Sequence, residues 1–259
     1  MANMVTIKGA IDPHVHLRGL EWSHKGTFAS ETKAALAGGY WAVFDMPNTP
    51  PTTITRSALD RKLTSMSLHA VCDFAVYFGA SQTGNHDEYV AIMEDVCGLK
   101  MFCNATTGDL LLDDQIERKK HISAWMNHKL LAVHAEGDTI LDILEIVRSD
   151  DQPTHFLHIS TAQEIEYLKS AKDEGLPVTI GVCPHHLWLS EEDLPRLKGF
   201  GKMKPELKTK ADQEALWQAI QDGLVDVIES DHAPHAIAEK ESDNPPYGVP
   251  GLETTIPLL

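Results

Sequence analysis

Two histidines, His14 and His16, lie two residues apart in the segment Asp12–Arg18 near the start of the chain. Side chains two apart on a β-strand face the same way, so both imidazoles are predicted to point into one space. Imidazole is a good transition-metal ligand, and such a pair at the end of a strand predicts a metal site. The alternative is two hydrogen-bonded histidines without a metal.

Lys100 is the next residue whose position suggests chemistry. It lies in the apolar run Gly98–Phe102, and lysine is almost never fully buried without a partner. Burial lowers the pKa of a lysine, and the neutral amine can react with carbon dioxide to give an anionic carbamate that bridges two cations. The alternative is a lysine that extends its ammonium group from the strand end into solvent.

Three further residues of ligand type end other predicted strands or follow them, and the carboxyl ends of barrel strands are where active sites lie. The full set predicts two Zn²⁺ ions held by His14, His16, Lys100, His134, His158 and Asp231.

The first histidine pair is expected to hold one zinc ion and the later two histidines the other, with carboxylated Lys100 between them. Two such ions lower the pKa of a bridging water and polarise a substrate carbonyl. Asp231 is expected to accept the proton of that water and to pass it to a departing amide nitrogen.

Apolar runs alternate with amphipathic stretches along the chain, which indicates parallel βαβ units. Eight predicted strands close an α/β (β/α)₈ TIM barrel, here one domain over residues 1–259. An eighth helix has barely begun at Leu259, so we expect it to be truncated. The strands are predicted at Ala10–Leu17, Tyr40–Asp45, Ala70–Phe78, Gly98–Cys103, Leu130–Ala135, Thr154–Ile159, Val178–Val182 and Val225–Ser230. The helices are predicted at Thr27–Ala37, Ser57–Ser67, His86–Asp95, Asp114–His128, Thr139–Ser149, Ala162–Glu174 and Lys210–Asp222.

The net charge of −16 argues against nucleic acid and anionic membranes as partners. It leaves room for a small anionic substrate, because salt screens a distant acidic surface over about 8 Å. No apolar run is long enough for a transmembrane helix, and Met1–Gly9 lacks the apolar core of a secretory signal. Four cysteines without a CxxC pair are typical of the reduced thiols of a cytoplasmic protein.

Seven motifs occur in a set order along the chain. They are DPHVHLR at Asp12–Arg18, DMPNTP at Asp45–Pro50, GLKMFCN at Gly98–Asn104, HAE at His134–Glu136, PHHL at Pro184–Leu187, SDHAPH at Ser230–His235 and PGLET at Pro250–Thr254. By these motifs the chain resembles the dihydroorotase family of the amidohydrolase superfamily over nearly its whole length. It looks most similar to the dihydroorotase domain of the animal multifunctional pyrimidine-synthesis protein and to similar stand-alone enzymes.

The resemblance implies the zinc-dependent, reversible hydrolysis of L-dihydroorotate to N-carbamoyl-L-aspartate in pyrimidine biosynthesis. It implies that Arg18, Asn48 and His235 hold the free carboxylate of the substrate, a task that suits the fork of an arginine. Where the family usually has arginine before Pro-Glu-Leu, this chain has Lys204, which keeps the charge and loses the fork. Thr106 is a further candidate contact. The alternatives are a turn-forming Asn48, a solvent-exposed His235 and a plain loop at Thr106.

The resemblance also bears on assembly and on additional parts. Homodimers are common in the family, and a partnership with aspartate transcarbamoylase is a further expectation. Some relatives hold a third metal through a cysteine and a glutamate, where this chain has Leu157 and Gly181, so we expect no third metal. The small β-sandwich that relatives build from both chain ends is expected to be absent.

Two other functions compete with this interpretation. An allantoinase or hydantoinase shares the metal ligands, but a neutral hydantoin does not need Arg18. A non-catalytic partner that scaffolds aspartate transcarbamoylase typically loses metal ligands, and this chain keeps all six. A poorly folded fragment of a longer enzyme is a third alternative.

Overall fold

The computed structural model describes residue 6 and residues 8–125 and 129–259. Within these residues eight parallel strands follow one another in sequence order across one sheet. They are β1 (Ala10–Val15), β2 (Tyr40–Asp45), β3 (Asp73–Gly79), β4 (Gly98–Phe102), β5 (Leu130–His134), β6 (Thr154–Phe156), β7 (Val178–Val182) and β8 (Val227–Ile228). The helices are α1 (Phe28–Ala37), α2 (Arg56–His69), α3 (Tyr89–Ile92), α4 (Gln115–Trp125), α5 (Thr139–Asp150), α6 (Ala162–Asp173), α7 (Pro184–Trp188), α8 (Leu194–Leu197), α9 (Lys210–Gln221), α10 (Ile237–Lys240) and α11 (Thr255–Leu258).

The first and last strands meet at their carboxyl ends, which curls the sheet into the expected α/β barrel. The backbone N–H of His16 donates to the carbonyl of His232 at 2.7 Å, and Val15 forms a parallel bridge with His232. Closure at this end brings the residue after β1 beside those after β8. The predicted ligands from the two ends of the chain therefore share one rim.

Helices cover the outside of the sheet, and most of the buried apolar side chains lie between the two layers. Threonine caps begin several of these helices. Thr27, Thr161 and Thr209 each accept a hydrogen bond from the third residue of the helix that follows. A smaller cluster of Met46, Tyr77, Ala132 and Leu157 forms a second apolar core.

A buried ion pair ties the end of β2 to the end of β1. The amine of Lys62 in α2 donates to the carboxylate of Asp45 and to the carbonyl of Met46, both at 2.7 Å. The other oxygen of Asp45 accepts the backbone N–H of Leu17 at 2.8 Å. Asp45 of β2 thereby fixes the backbone of Leu17, the residue between His16 and Arg18.

The predicted elements and the structure agree closely, with local differences. β2 and β7 have the predicted bounds, whereas β8 is limited to two residues of the predicted Val225–Ser230. The predicted helix over His86–Asp95 is broken, because 3₁₀ turns flank the four-residue α3. The segment Pro184–Thr209, expected as a long connection, contains α7 and α8. The last three residues of the helix predicted at Asp114–His128 lie outside the described residues.

The final element, α11, is four residues long and occupies the place of the predicted truncated eighth helix. None of the helices in the described ranges has both the length and the apolar character required to span a bilayer.

Candidate metal centre and substrate cavity

The histidine pair at the end of β1 faces the aspartate that follows β8. Nε2 of His14 and Nε2 of His16 each lie 3.2 Å from Oδ1 of Asp231. All three side chains are buried, and one ligand atom from each falls within 4.8 Å of the others. Alternation of side chains thus puts His14 and His16 on one side, and the closure between Val15 and His232 brings Asp231 beside them.

The second histidine pair, from the ends of β5 and β6, lies beside the first. Nδ1 of His134 is 2.9 Å from Nε2 of His158, and both side chains are buried. The ring centroid of His158 lies 5.2 Å from that of His14. Four imidazoles from three strands therefore form one continuous group.

Lys100 lies in β4 with its side chain fully buried, and its Nζ has no hydrogen-bond partner among the described residues. The nitrogen lies 4.5 Å from the ring centroid of Phe102. Burial lowers the pKa of Lys100 to about 7, against the opposing effect of the Asp231 and Glu229 carboxylates. Near neutral pH a large fraction of this amine is uncharged and nucleophilic.

The histidines of this group are in the state that a metal requires. Burial lowers the pKa of His14 and His134, and lowers that of His16 and His158 well below the usual value. Neutral imidazoles keep a lone pair for coordination.

Hydrogen-bond partners also set which nitrogen of several imidazoles is free. Nδ1 of His16 lies 2.7 Å from Oδ1 of Asn48, and Nε2 of His134 lies 3.0 Å from Oε1 of Glu136. Each partner oxygen can only accept, so the opposite ring nitrogen carries the lone pair. In both residues that free nitrogen faces another member of the group.

The residues fit the metal that the sequence predicts. The donor set combines neutral imidazoles with an aspartate, which suits zinc. Among the described residues, the buried Nζ of Lys100 and Nδ1 of His158 have no polar partner, a costly arrangement unless a ligand supplies one.

Three residues of this region have positive φ angles without being glycine. They are Arg18 at 60°, His158 at 39° and Asp231 at 45°. A non-glycine residue held in the left-handed backbone conformation costs about 1–3 kcal/mol of conformational energy, and such strain concentrates at functional sites. Each lies just beyond a barrel strand, where the turn directs its side chain.

A small cavity of about 20 Å³ lies next to His16. It borders four of the five residues predicted to contact substrate, and His235 is the exception. The lining residues are His16, Arg18, Asn48, Thr106, Thr107, Lys204, Asp231, Ala233, Tyr247 and Gly248.

Arg18 is a buried cation at this cavity, with 1% of its surface exposed. Its Nε donates to the carbonyl of Pro234 at 3.0 Å, and one terminal nitrogen lies 3.1 Å from Nε2 of His235. Burial lowers the pKa of Arg18 to about 10, so it stays charged at neutral pH. Within the described part of the chain no carboxylate forms an ion pair with it. A buried, unpaired guanidinium beside a cavity fits an anionic ligand.

His235 lies beside Arg18 and does not line the cavity. Burial, followed by the charges of Arg18 and Lys25, lowers the pKa of His235 to about 3, so its ring is neutral. Nζ of Lys25 donates to Nδ1 at 3.1 Å, which leaves the Nε2 hydrogen to donate to the carbonyl of Tyr247 at 2.8 Å. The ring is thereby held by protein groups.

The remaining predicted contacts lie on the rim. Nζ of Lys204 lies 5.6 Å from the ring centroid of Tyr247 and 3.5 Å from an exposed oxygen of Glu206. Asn48 donates from Nδ2 to the carbonyl of Thr107 at 2.9 Å, so both ends of its amide have partners.

The sequence interpretation missed three charged residues that support the site. Glu229 gave only a weak signal, as a carboxylate near the end of the predicted strand Val225–Ser230 and two residues before Asp231. Glu136 was visible within the HAE motif without an assigned role. Lys25 gave no signal, since its place beside His235 depends on contacts 210 residues apart in sequence.

Comparison with known proteins places these features in a family context. No family model matches the chain. It is 43% identical over 259 residues to the multifunctional protein CAD of Squalus acanthias, covering 99% of this chain and 11% of that protein. It is 34% identical over 288 residues to a dihydroorotase of Halobacterium salinarum, covering 100% of this chain and 67% of that protein. The chain thus spans about a ninth of the first relative and two thirds of the second.

Solved structures share the fold. The L-hydantoinase of Arthrobacter aurescens superposes with a TM-score of 0.90 at 23% identity, over 97% of this chain and 64% of that one. An inactive dihydroorotase-like domain from Chaetomium thermophilum gives 0.80 at 23% identity, over 97% of this chain and 71% of that one. At these identities the match establishes the barrel and leaves substrate choice to the residues of the site.

Proposed function

Because this chain belongs to the dihydroorotase family of metal-dependent cyclic amidohydrolases, we propose that it hydrolyses L-dihydroorotate reversibly to N-carbamoyl-L-aspartate. The observation that carries the proposal is Arg18, a buried guanidinium without a carboxylate partner among the described residues. It borders the same cavity as His16 and Asp231. A ring amide with a carboxylate substituent matches this pairing of a cation with a metal-ligand cluster.

The proposed metal ligands follow from the donor atoms. His14 and His16 would hold one zinc ion, and His134 and His158 the other. Lys100 would bridge them as a carbamate, formed when its neutral amine attacks carbon dioxide and releases one proton. The chemistry that such ions supply is polarisation of the ring carbonyl and a lowered pKa of water.

Asp231 is the proposed general base and acid. Its carboxylate lies at the meeting point of the β1 histidines and borders the cavity. In the hydrolytic direction it removes a proton from the attacking water and delivers it to the amide nitrogen as the ring C–N bond breaks. In the cyclising direction the same carboxylate takes the proton from the carbamoyl nitrogen.

Substrate binding is assigned to the cavity wall. The guanidinium of Arg18 pairs with the substrate carboxylate, while the carbonyl of Pro234 accepts the hydrogen of its Nε. Lys204 adds a second positive charge at the rim, and Thr106 offers a hydroxyl. Asn48 holds the tautomer of His16, and it reaches substrate only if its amide exchanges a partner.

Hydantoinase-like activity is the main rival, since the fold is shared with hydantoinases. The test compares two substrates of the same ring type, dihydroorotate and 5,6-dihydrouracil, which lacks the carboxylate. We expect the zinc-loaded chain to hydrolyse dihydroorotate with a kcat/KM about a hundredfold higher than that for 5,6-dihydrouracil. Only dihydroorotate can form charged hydrogen bonds with the buried Arg18. Equal turnover of both substrates would contradict a role for Arg18 and favour the rival.

A catalytically inactive, scaffolding role is the second rival, and one solved structural relative is described as inactive. All six ligand-type side chains are buried, and His14, His16 and Asp231 bring their ligand atoms within 4.8 Å of one another, which supports catalysis in this chain. Zinc binding without hydrolysis of either ring substrate would favour the scaffolding role.

A further inference from the structure

Glu229 is a carboxylate buried beneath the candidate metal centre, with 0% of its surface exposed. It lies directly after β8 and two residues before Asp231. No part of the proposed chemistry uses it. A buried carboxylate is costly unless its oxygens are hydrogen-bonded, so its contacts indicate what it does.

The two oxygens of Glu229 contact residues of two other strands. Oε1 accepts the backbone N–H of His158 at 2.6 Å and lies 3.4 Å from Nδ1 of His14. Oε2 lies 3.2 Å from Nε2 of His155, whose Nδ1 lies 2.8 Å from the hydroxyl of Thr179. One side chain therefore joins the carboxyl ends of β1, β6 and β8.

The contact with His14 defines the state of that imidazole. Nδ1 of His14 is buried and makes no hydrogen bond to any described residue, but Oε1 of the Glu229 carboxylate lies 3.4 Å away. A negative charge beside Nδ1 favours the tautomer that carries its hydrogen there. Nε2, which faces Asp231, is then left with its lone pair.

The neighbouring strand leaves space for this carboxylate. A Cβ atom on Gly181 of β7 would lie 2.5 Å from Oε1 of Glu229 and 2.9 Å from Nε2 of His155. Both distances are shorter than real Cβ contacts, so the Glu229 or His155 side chain would have to shift. Glycine at 181 and glutamate at 229 are therefore a matched pair in the packing of the barrel interior.

We infer that Glu229 is a positioning residue for the metal centre, acting through the His14 imidazole and the His158 backbone. It orients His14 by its charge and holds His158 in its left-handed conformation through the backbone N–H. Its negative charge also offsets part of the positive charge that bound ions bring. The inference rests on the proposed metal-dependent function, and its test uses metal affinity as a readout separate from turnover.

The first experiment measures zinc affinity by competition with a chromogenic chelator for the full chain and for E229Q and E229A. We expect both variants to bind zinc about 10–100-fold more weakly, the usual effect of removing a group that orients a ligand. At saturating zinc, E229Q should lower kcat and leave KM nearly unchanged, because Glu229 does not border the cavity.

Glu164 provides the matched control. It is also buried and accepts the backbone N–H groups of Gly137, Ser160 and Thr161, but it has no hydrogen bond or ion pair with an imidazole of the described residues. E164Q should lower the melting temperature without changing zinc affinity by more than about twofold, since it weakens the hydrogen bonds that cap the start of α6. If E229Q and E164Q lower the melting temperature alike and both keep full zinc affinity, Glu229 is only structural and the inference is wrong.

Gly181→Ala provides a gentler test that does not remove the carboxylate. The added methyl should displace Glu229 and weaken zinc binding in the otherwise unaltered chain, yet add little in the E229A background. Independent, additive effects of the two substitutions on zinc affinity would contradict the inference.

The proposed reaction can fail without the inference failing. If the chain binds zinc and does not hydrolyse dihydroorotate, while E229Q still weakens zinc binding, the reaction is wrong and the positioning role stands. If the chain hydrolyses dihydroorotate and E229Q leaves both zinc affinity and kcat unchanged, the reaction stands and the inference is overturned.

Discussion

The metal-facing and substrate-facing sides of the site differ in how their polar groups are satisfied. On the metal side, buried atoms such as Nζ of Lys100 and Nδ1 of His158 have no partner among the described residues. On the substrate side, Arg18 and His235 already hydrogen-bond to carbonyls of the following loops. The metal side contains buried polar atoms without a hydrogen-bond partner among the described residues, whereas on the substrate side Arg18 is hydrogen-bonded to the carbonyl of Pro234.

Apart from Arg18, which follows β1 as His16 does, the two sides also come from different parts of the barrel. The histidines and Lys100 lie on strands or directly after them, where backbone ladders fix their spacing. Lys204, Thr106 and Tyr247 lie in the connections beyond the strands. We therefore expect changes on the metal side to affect metal binding and kcat, and changes on the substrate side to affect KM.

Asp231→Asn should have the largest effect, because Asp231 borders both sides of the site. The amide cannot act as a base, so we expect kcat to fall about a thousandfold or more while zinc remains bound. Steady-state kinetics and elemental analysis of the same sample measure both quantities. Activity near that of the unaltered chain would remove Asp231 as the acid–base group.

Lys100→Met tests the metal side alone. The variant preserves the size of the buried side chain but cannot form a carbamate, so zinc binding should fall from about two ions per chain toward one and activity should fall about a hundredfold. Native mass spectrometry of the zinc-loaded, unaltered chain should show the added mass of one carbon dioxide. Two bound zinc ions on an unmodified Lys100 would contradict the bridging role.

Arg18→Lys and Arg18→Ala test the substrate side. Loss of the fork should raise KM about tenfold and loss of the charge about a hundredfold, matching about 1.5–3 kcal/mol for hydrogen bonds to charged groups. Zinc content should not change in either variant. A KM for dihydroorotate that stays the same in Arg18→Ala would place the carboxylate elsewhere.

The smallest expected effect is on stability in the absence of metal. Lys100 has a pKa of about 7 when folded against 10.5 when exposed, so above pH 7 the unfolded chain binds a proton that the folded chain lacks. Burial of this amine therefore lowers the free energy of unfolding most at and below pH 7, and the penalty shrinks as pH rises above 7, by up to about 1.4 kcal/mol per pH unit.

Denaturant titrations of the metal-free chain and of Lys100→Met between about pH 7 and 8.5 isolate that contribution. The upper limit matters because burial raises the pKa of Cys97 and Cys103 to about 12, which acts in the opposite direction once exposed thiols ionise. The free energy of unfolding of the unaltered chain should rise more steeply with pH than that of the variant. Parallel pH dependences would mean that Lys100 is not buried as a neutral amine.

The residues proposed for the metal side could be selected from the sequence because their positions depend on local rules. Alternation along β1 set His14 and His16 on one face, and a lysine in an apolar strand marked Lys100. The partners that set tautomers and hold Arg18 come from distant segments, as the contact between Lys25 and His235 shows. Such contacts depend on how the loops pack, and the periodic pattern of apolar residues in the sequence does not predict loop packing.

The elements show the same division. Long amphipathic stretches such as α5 and α6 begin at their predicted residues, whereas the short β8 and the broken helix around α3 depend on tertiary packing. Glu229 lies at the end of β8, where the ladder stops and its side chain turns toward His14 and His158. A strand of two residues with a charged successor gives too weak a pattern to define from sequence.

The most direct test of this account is the cyclisation of N-carbamoyl-L-aspartate, and its reverse, by the zinc-loaded chain, with bound zinc counted on the same sample. We predict turnover in both directions with about two zinc ions per chain, the number that a two-metal site requires. Two bound zinc ions without any interconversion of these two compounds would contradict the proposed reaction.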